Sequence, residues 1–283
     1  MKDGIINFGE NINMKSISET IKEIIDNFAK QGIVFSNEQD FQFQLSLKLI
    51  DAVDDEKKKI FKTVKLEVLS LNNLTFEQLK EKVDNKEKLK KDKENPDASE
   101  KKEYCDIIAE TSDGKFVAIE LKYKTPGKLC YYKTPNGEMI TMIQGAYDFG
   151  AHGFLKDVER LENINKRDKV DTSIGKIEIG FAILLTNDYH YRFSDFSGSK
   201  IWKHYSICEE KSQISRPLPI IANGQEAENY KGKTPVCLNG TYNLEWRNYE
   251  LPNKAGGLYD DYSDSKNTIS PGFSYLMVEV NPI

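Results

Sequence analysis

A chain of 283 residues, 39% of them hydrophobic and 30% charged, is long enough for one large domain, or a domain with an appendage, around a substantial core. Its net charge of −5 argues against coating nucleic acid without selectivity, because phosphate neutralisation by lysine and arginine supplies most of that affinity. The four cysteines form no C-x-x-C pair and suggest neither a disulfide framework nor a zinc ribbon, and no stretch approaches the roughly 20 apolar residues of a membrane span. A soluble, cytoplasmic protein without a leader peptide is expected.

In chain order, the first clear element is an amphipathic helix over 36–50, with Phe41, Leu45 and Leu49 at helical spacing behind a Ser or Asn cap. Glu38 and Gln42 share one of its faces. The run IFKTVKLEVLSL follows, in which Val64, Leu66 and Val68 alternate with polar residues as in a half-buried strand. A Lys- and Glu-rich stretch near 75–98 reads as a charged insertion. Next comes a hairpin, with strands near 103–110 and 115–123 joined by a turn at Ser112-Asp113-Gly114. Its second strand is nearly all apolar before its charges begin, which suits a central strand. A long helix over 139–163, perturbed at Gly150 or Gly153, precedes a buried strand in IEIGFAILLTND. Beyond Tyr189 only GTYNLEWRNY and FSYLMVEV look like strands. The expected class is α/β: a mixed central sheet flanked by helices over 1–190, with a β-rich C-terminal extension over 191–283 packed on the core.

Charges stand at the ends of both hairpin strands, Asp106 in YCDI and Glu120 and Lys122 in IELK. Burying them among Ile and Val is costly unless they pair or hold a cation. Glu120 and Lys122 project from the same strand face, with Leu121 on the other. If the hairpin sets Asp106 beside Glu120, two carboxylates and an ammonium converge. A divalent ion held there could polarise a phosphate and acidify a bound water, with Lys122 orienting that water and offsetting developing charge. Mg2+, which keeps much of its hydration shell, suits few carboxylates plus a backbone carbonyl such as that of Leu121; Mn2+ is its natural substitute.

The ordered set of Glu38 on an N-terminal helix, Asp106, IELK with Glu120 and Lys122, and then Gln144 opening a helix resembles the PD-(D/E)XK nuclease superfamily, to which many restriction enzymes belong. The resemblance covers about residues 36–186 and implies a restriction-endonuclease-like αβββαβ core. By it, Asp106, Glu120 and the Leu121 carbonyl would hold Mg2+, Lys122 would be the catalytic lysine and Glu38 an auxiliary acid at the metal. Gln144 in QGAYD would position a phosphate or the attacking water. The implied activity is a magnesium-dependent endonuclease on DNA, in a setting such as bacterial restriction or defence, and double-strand cleavage would call for a homodimer. Cys105 stands where the family's name-giving proline would be, and Asp148 where some members have tyrosine.

Blander readings stand beside these. The hairpin charges could form a solvated salt bridge worth at most about 1 kcal/mol, and Glu38 could serve only the helix macrodipole. Gln42 reads as structural, Glu67 as solvent-facing, and His152, His190 and His204 as ordinary histidines. Tyr189, His190, Tyr191, Trp202, Trp246 and Tyr249 could stack on bases, though core packing explains aromatic strands more often. A catalytically inactive protein of the same fold, binding nucleic acid or a protein partner, is the alternative to the nuclease.

Overall fold

The computed structural model describes residues 14–71, 103–127, 130–134, 137–141, 144, 146–166, 168–169, 173–197, 202–222, 225–228, 233–251, 258–259 and 272–283. The charged stretch expected near 75–98 lies outside them. Helices α1 (Met14–Lys30) and α2 (Glu38–Asp51) lead into strand β1 (Phe61–Leu71), the hairpin β2 (Glu103–Thr111) and β3 (Phe116–Lys124), and a second hairpin, β4 (Cys130–Thr134) and β5 (Gly137–Thr141). Helix α3 (Tyr147–Glu162), the short β6 (Asp168–Lys169), β7 (Ile177–Thr186) and the single turn α4 (Tyr189–Phe193) come next. The rest is mainly strand: β8 (Gln213–Leu218), β9 (Ile220–Ala222), β10 (Gln225–Ala227), β11 (Val236–Asn243), β12 (Trp246–Tyr249), β13 (Leu258–Tyr259) and β14 (Phe273–Val280).

The architecture is α/β, a mixed sheet flanked by helices, with strand order β12-β14-β7-β3-β2-β1-β6. Strands β1, β2 and β3 form an antiparallel meander. β3 then runs parallel to β7, which the chain reaches through the crossover containing α3. Parallel neighbours at the sheet centre need apolar residues on both faces, and FVAIEL and IGFAILL supply them: Val117 to Leu121 and Ile179 to Leu185 are all buried. One face packs on α1 and α2 through Ile21, Phe28, Phe41 and Leu45, and the other on α3 through Phe154, Val158 and Leu161.

Several expectations need correction. The long helix begins at Tyr147, not at 139, because Gly137 (φ 120°) turns the chain into the β4–β5 hairpin and Met139-Ile140-Thr141 pair with Cys130–Tyr132. Apolar residues there fit a period of two as well as 3.6, and the turn decides. Consequently Gln144 precedes α3 instead of opening it. GTYNLEWRNY is two strands: β11 pairs with β8 in a separate ribbon, while β12 joins the central sheet through β14. β14 itself hydrogen-bonds along β7, so the C-terminal part extends the sheet. Helix α1 is not among the expected elements, although Ile17, Ile21, Ile25 and Phe28 form a fully buried stripe at helical spacing.

Helix α3 runs unbroken through Gly150 and Gly153. Gly150 is there for space: a Cβ would meet the hydroxyl of Tyr191 and lie 2.8 Å from its Cζ. Gly150→Ala should cost about 1–3 kcal/mol in urea unfolding, and Tyr191→Phe in the same chain should recover part of the loss. An unchanged midpoint in Gly150→Ala would contradict this packing.

Candidate functional site

The site arises where β2 parts from β3. Their pairing runs from Glu110–Phe116 to Ile107–Ile119 and stops. On the other side of β2, Leu66–Ile107 and Val68–Cys105 are paired but the Glu67–Asp106 rung between them is missing. Glu67 has left-handed backbone (φ 51°), unusual for a non-glycine residue. The strand alternation slips at this point. Cys105 and Ile108 both pack toward α3 while Ile107 packs toward α2, whereas a regular strand would put Cys105 and Ile107 on one face.

Beyond Ile119 the amides of β3 that point toward β2 need other acceptors, and two carboxylates supply them. Asp106 Oδ2 accepts from Leu121 N at 2.6 Å, and Glu38 Oε2 accepts from Tyr123 N at 2.9 Å. Glu38 reaches the strand because α2 starts there, capped by Asn37, whose side chain accepts from Asp40 N at 2.8 Å. One turn on, Gln42 Nε2 donates to the Asp106 carbonyl at 2.7 Å and to Glu67 Oε1 at 3.0 Å, fixing the irregular rung.

On the α3 side of β3, Glu120 and Lys122 emerge together as the strand period requires. Glu120 is fully buried, and both its oxygens accept from Arg160: Nε to Oε1 at 2.8 Å and an Nη to Oε2 at 2.6 Å. The same guanidinium reaches Asp157 Oδ1 at 2.8 Å. Lys122 Nζ lies 2.9 Å from Asp157 Oδ2 and 3.8 Å from Glu38 Oε1, and donates to the Leu121 carbonyl at 3.1 Å. Asp157 and Arg160 were not expected. Their signal was a charge at 157 on the apolar face of α3, three residues from Phe154 and four from Leu161, which must find a partner once buried.

The structure thus brings together Glu38, Asp106, Glu120 and Lys122 of the expected residues. Gln144 is held by its backbone, N to the Pro126 carbonyl at 3.3 Å, and its buried Oε1 makes no hydrogen bond among the described residues. Of the aromatic residues, Tyr191, Trp246 and Tyr249 are buried in the core, while Tyr189 is 54% exposed. His190 lies between the rings of Tyr147 (4.3 Å, 5°) and Tyr189 (4.0 Å), its Nδ1 on Asp188 Oδ1 at 2.8 Å. The Trp202 side chain falls outside what the structure describes.

Electrostatically, burial pushes Asp106 up from 3.8 to about 6, against its bond from Leu121 and the charge of Lys122. Burial also raises Glu120, with Arg160 opposing. We take Glu120 as ionised near neutral pH because two charge-assisted bonds from one guanidinium would otherwise be wasted on a neutral acid. Burial works against the charge of Lys122, but Asp157, Glu38 and Asp106 more than offset it and hold the ammonium protonated, above the ordinary lysine range.

A carboxyl that binds its proton more tightly folded than unfolded favours the fold at low pH, and that contribution is lost as pH rises through its folded value. Relative to Asp106→Asn, the wild-type chain should therefore lose stability between about pH 4 and 6.5, by up to roughly 3 kcal/mol. Urea unfolding of both chains across that range measures it, and a flat difference would refute the assignment to Asp106.

Whether the residues fit a divalent cation can be tested on charge and on oxygens. Four carboxylates (Glu38, Asp106, Glu120, Asp157) face two cations (Lys122, Arg160), an excess of two negative charges in one cluster. Asp106, Glu38 and the Leu121 carbonyl supply hard oxygens where the β2–β3 pairing ends, the donor type that Mg2+ prefers. Charge and donor chemistry therefore fit. The arrangement places Arg160 on Glu120, however, and among the described residues no three His, Cys, Asp or Glu side chains stand grouped to hold a metal. No family model matches this chain, and no curated protein or solved structure is similar to it at a significant level.

Proposed function

We propose that the chain is a metal-dependent nuclease with a restriction-endonuclease-like core, hydrolysing DNA phosphodiester bonds. One observation carries the reading: Glu38, Asp106, Glu120 and Lys122, from α2, β2 and β3, lie in one linked cluster where β2 parts from β3, with two negative charges in excess. With the β4–β5 hairpin and the two-residue β6 set aside, the order α2, β1, β2, β3, α3, β7, with β3 antiparallel to β2 and parallel to β7, supports it as the αβββαβ arrangement that the sequence resemblance implies.

A hard cation, Mg2+ or Mn2+, held by Asp106, Glu38, Glu120 and the Leu121 carbonyl would polarise the scissile phosphate and acidify a bound water. The side chains divide the remaining work. Lys122, kept protonated by its three acidic neighbours, serves as a cation and hydrogen-bond donor toward the phosphate and the attacking water, not as a base. Asp106 and Glu38 each commit one oxygen to a backbone amide, which fixes their direction, and Glu38 Oε1 lies 3.8 Å from Lys122 Nζ. Gln144, just before α3, has a side-chain oxygen still to be satisfied and could receive a water or a donor on the substrate. Tyr189 offers an exposed ring beyond the C-terminal end of β7 for a base to stack on.

A second reading, a catalytically inactive protein of this fold, is favoured by one specific observation: Glu120 already has both oxygens engaged by Arg160. Incubation of the purified chain with plasmid and single-stranded DNA in Mg2+, Mn2+ or chelator separates the two. Cleavage that chelator abolishes supports the nuclease; intact DNA of both kinds in either metal supports the inactive protein.

A further inference from the structure

We propose that Arg160 is an internal counterion that competes with the divalent cation for Glu120, so that the affinity of the site for metal is set by how readily this guanidinium gives up the carboxylate. The inference rests on the metal-dependent reading above and concerns its regulation. Three features point to it. The contact is bidentate, at 2.8 and 2.6 Å, the geometry in which Arg matches a carboxylate best. Glu120 is wholly buried, so it cannot exchange Arg160 for water at little cost and needs one cation or another beside it. Finally, Arg160 has a second berth, since its Nη already bonds Asp157 Oδ1 at 2.8 Å on the same helix. When Glu120 is given over to an ion, the guanidinium retains Asp157 and is not stranded. Asp157 itself is anchored from the other side by Lys122, so α3 need not move.

Arg160 is on this account a positioning residue for Glu120, and its effect must be visible in metal binding as such. The test is Mn2+ affinity of the full chain, without DNA, by electron paramagnetic resonance of free Mn2+ or by calorimetry. Arg160→Gln should bind Mn2+ more tightly by about tenfold or more, the scale on which groups around a metal site tune its affinity. Mn2+ should also raise its melting temperature more than that of the wild type. Arg160→Lys, which keeps the charge but cannot fork onto two oxygens, should fall between them, and it serves if Arg160→Gln does not fold. Lys124, the last residue of β3, feels the charges of Glu38, Lys122 and Asp157; Lys124→Gln removes that positive charge and should change the affinity by less than about twofold.

Equal tightening by Lys124→Gln and Arg160→Gln would overturn the proposal in favour of long-range charge alone, and so would an unchanged or weaker affinity in Arg160→Gln. Stoichiometric Mn2+ binding by the wild type in those cases leaves the nuclease reading standing. No Mn2+ binding by any variant sinks both.

Discussion

Lys122→Ala should lower metal-dependent DNA cleavage about 100- to 1,000-fold, the usual consequence of removing one preorganised donor from a developing charge. The expectation follows from where the ammonium sits. It is held within 4 Å of Glu38 and Asp157 and bonds the Leu121 carbonyl, so it stands beside the carboxylates gathered where β2 parts from β3. The loss should appear in kcat with Mn2+ affinity retained, because Asp106, Glu38 and Glu120 remain. Folding should survive, since Asp157 keeps Arg160 when Lys122 is gone. Lys122→Arg should not restore full activity: a planar fork does not reproduce a compact ammonium donating to one carbonyl. A Lys122→Ala chain that folds and cuts at the wild-type rate would end the assignment.

Glu120→Ala should cost roughly 3–5 kcal/mol of stability, more than any other single change at the site. It leaves a largely buried guanidinium with Asp157 alone and opens a void among Ala118, Ala182 and the α3 side chains. The buried pair is nonetheless a poor investment for stability as such, because desolvating two charges cancels much of their attraction. Replacing both members by apolar residues of similar volume, Glu120→Leu with Arg160→Met, should restore most of the loss or exceed the wild type. A double-mutant cycle in urea checks it. If the double variant is as unstable as Glu120→Ala, the pair contributes to folding in its own right, and its retention needs no functional explanation. If the double variant is stable and inactive, the charges are there for chemistry.

Some of this was readable from single residues. The central strands were legible because FVAIEL and IEIGFAILL are apolar without interruption, a pattern with few solutions other than a strand buried on both faces. Helix α2 was legible from its cap and its Phe41, Leu45, Leu49 spacing, and the β2–β3 hairpin from Ser112-Asp113-Gly114, where Gly114 takes φ 84°. The β4–β5 hairpin was not, because Met139 and Ile140 satisfy two periods equally and the choice is made by the pairing partner. The joining of β14 to β7 was also invisible, since nothing local in FSYLMVEV says which edge it extends.

By itself, the sequence determined that a strand carrying Glu120 and Lys122 on one face had to lie at the centre of a sheet, with Asp106 across a tight turn from it. The periodicity of a strand and the cost of burying unpaired charge allow little else. Only the tertiary structure decided what those charges meet. The slip at Glu67 and Asp106 turned Asp106 onto the Leu121 amide, α2 delivered Glu38 to the next free amide, and α3 brought Asp157 and Arg160 across the sheet. Those partners are 15, 85 and 40 residues away along the chain. Contacts of that range depend on how elements pack, and local propensity carries no record of them.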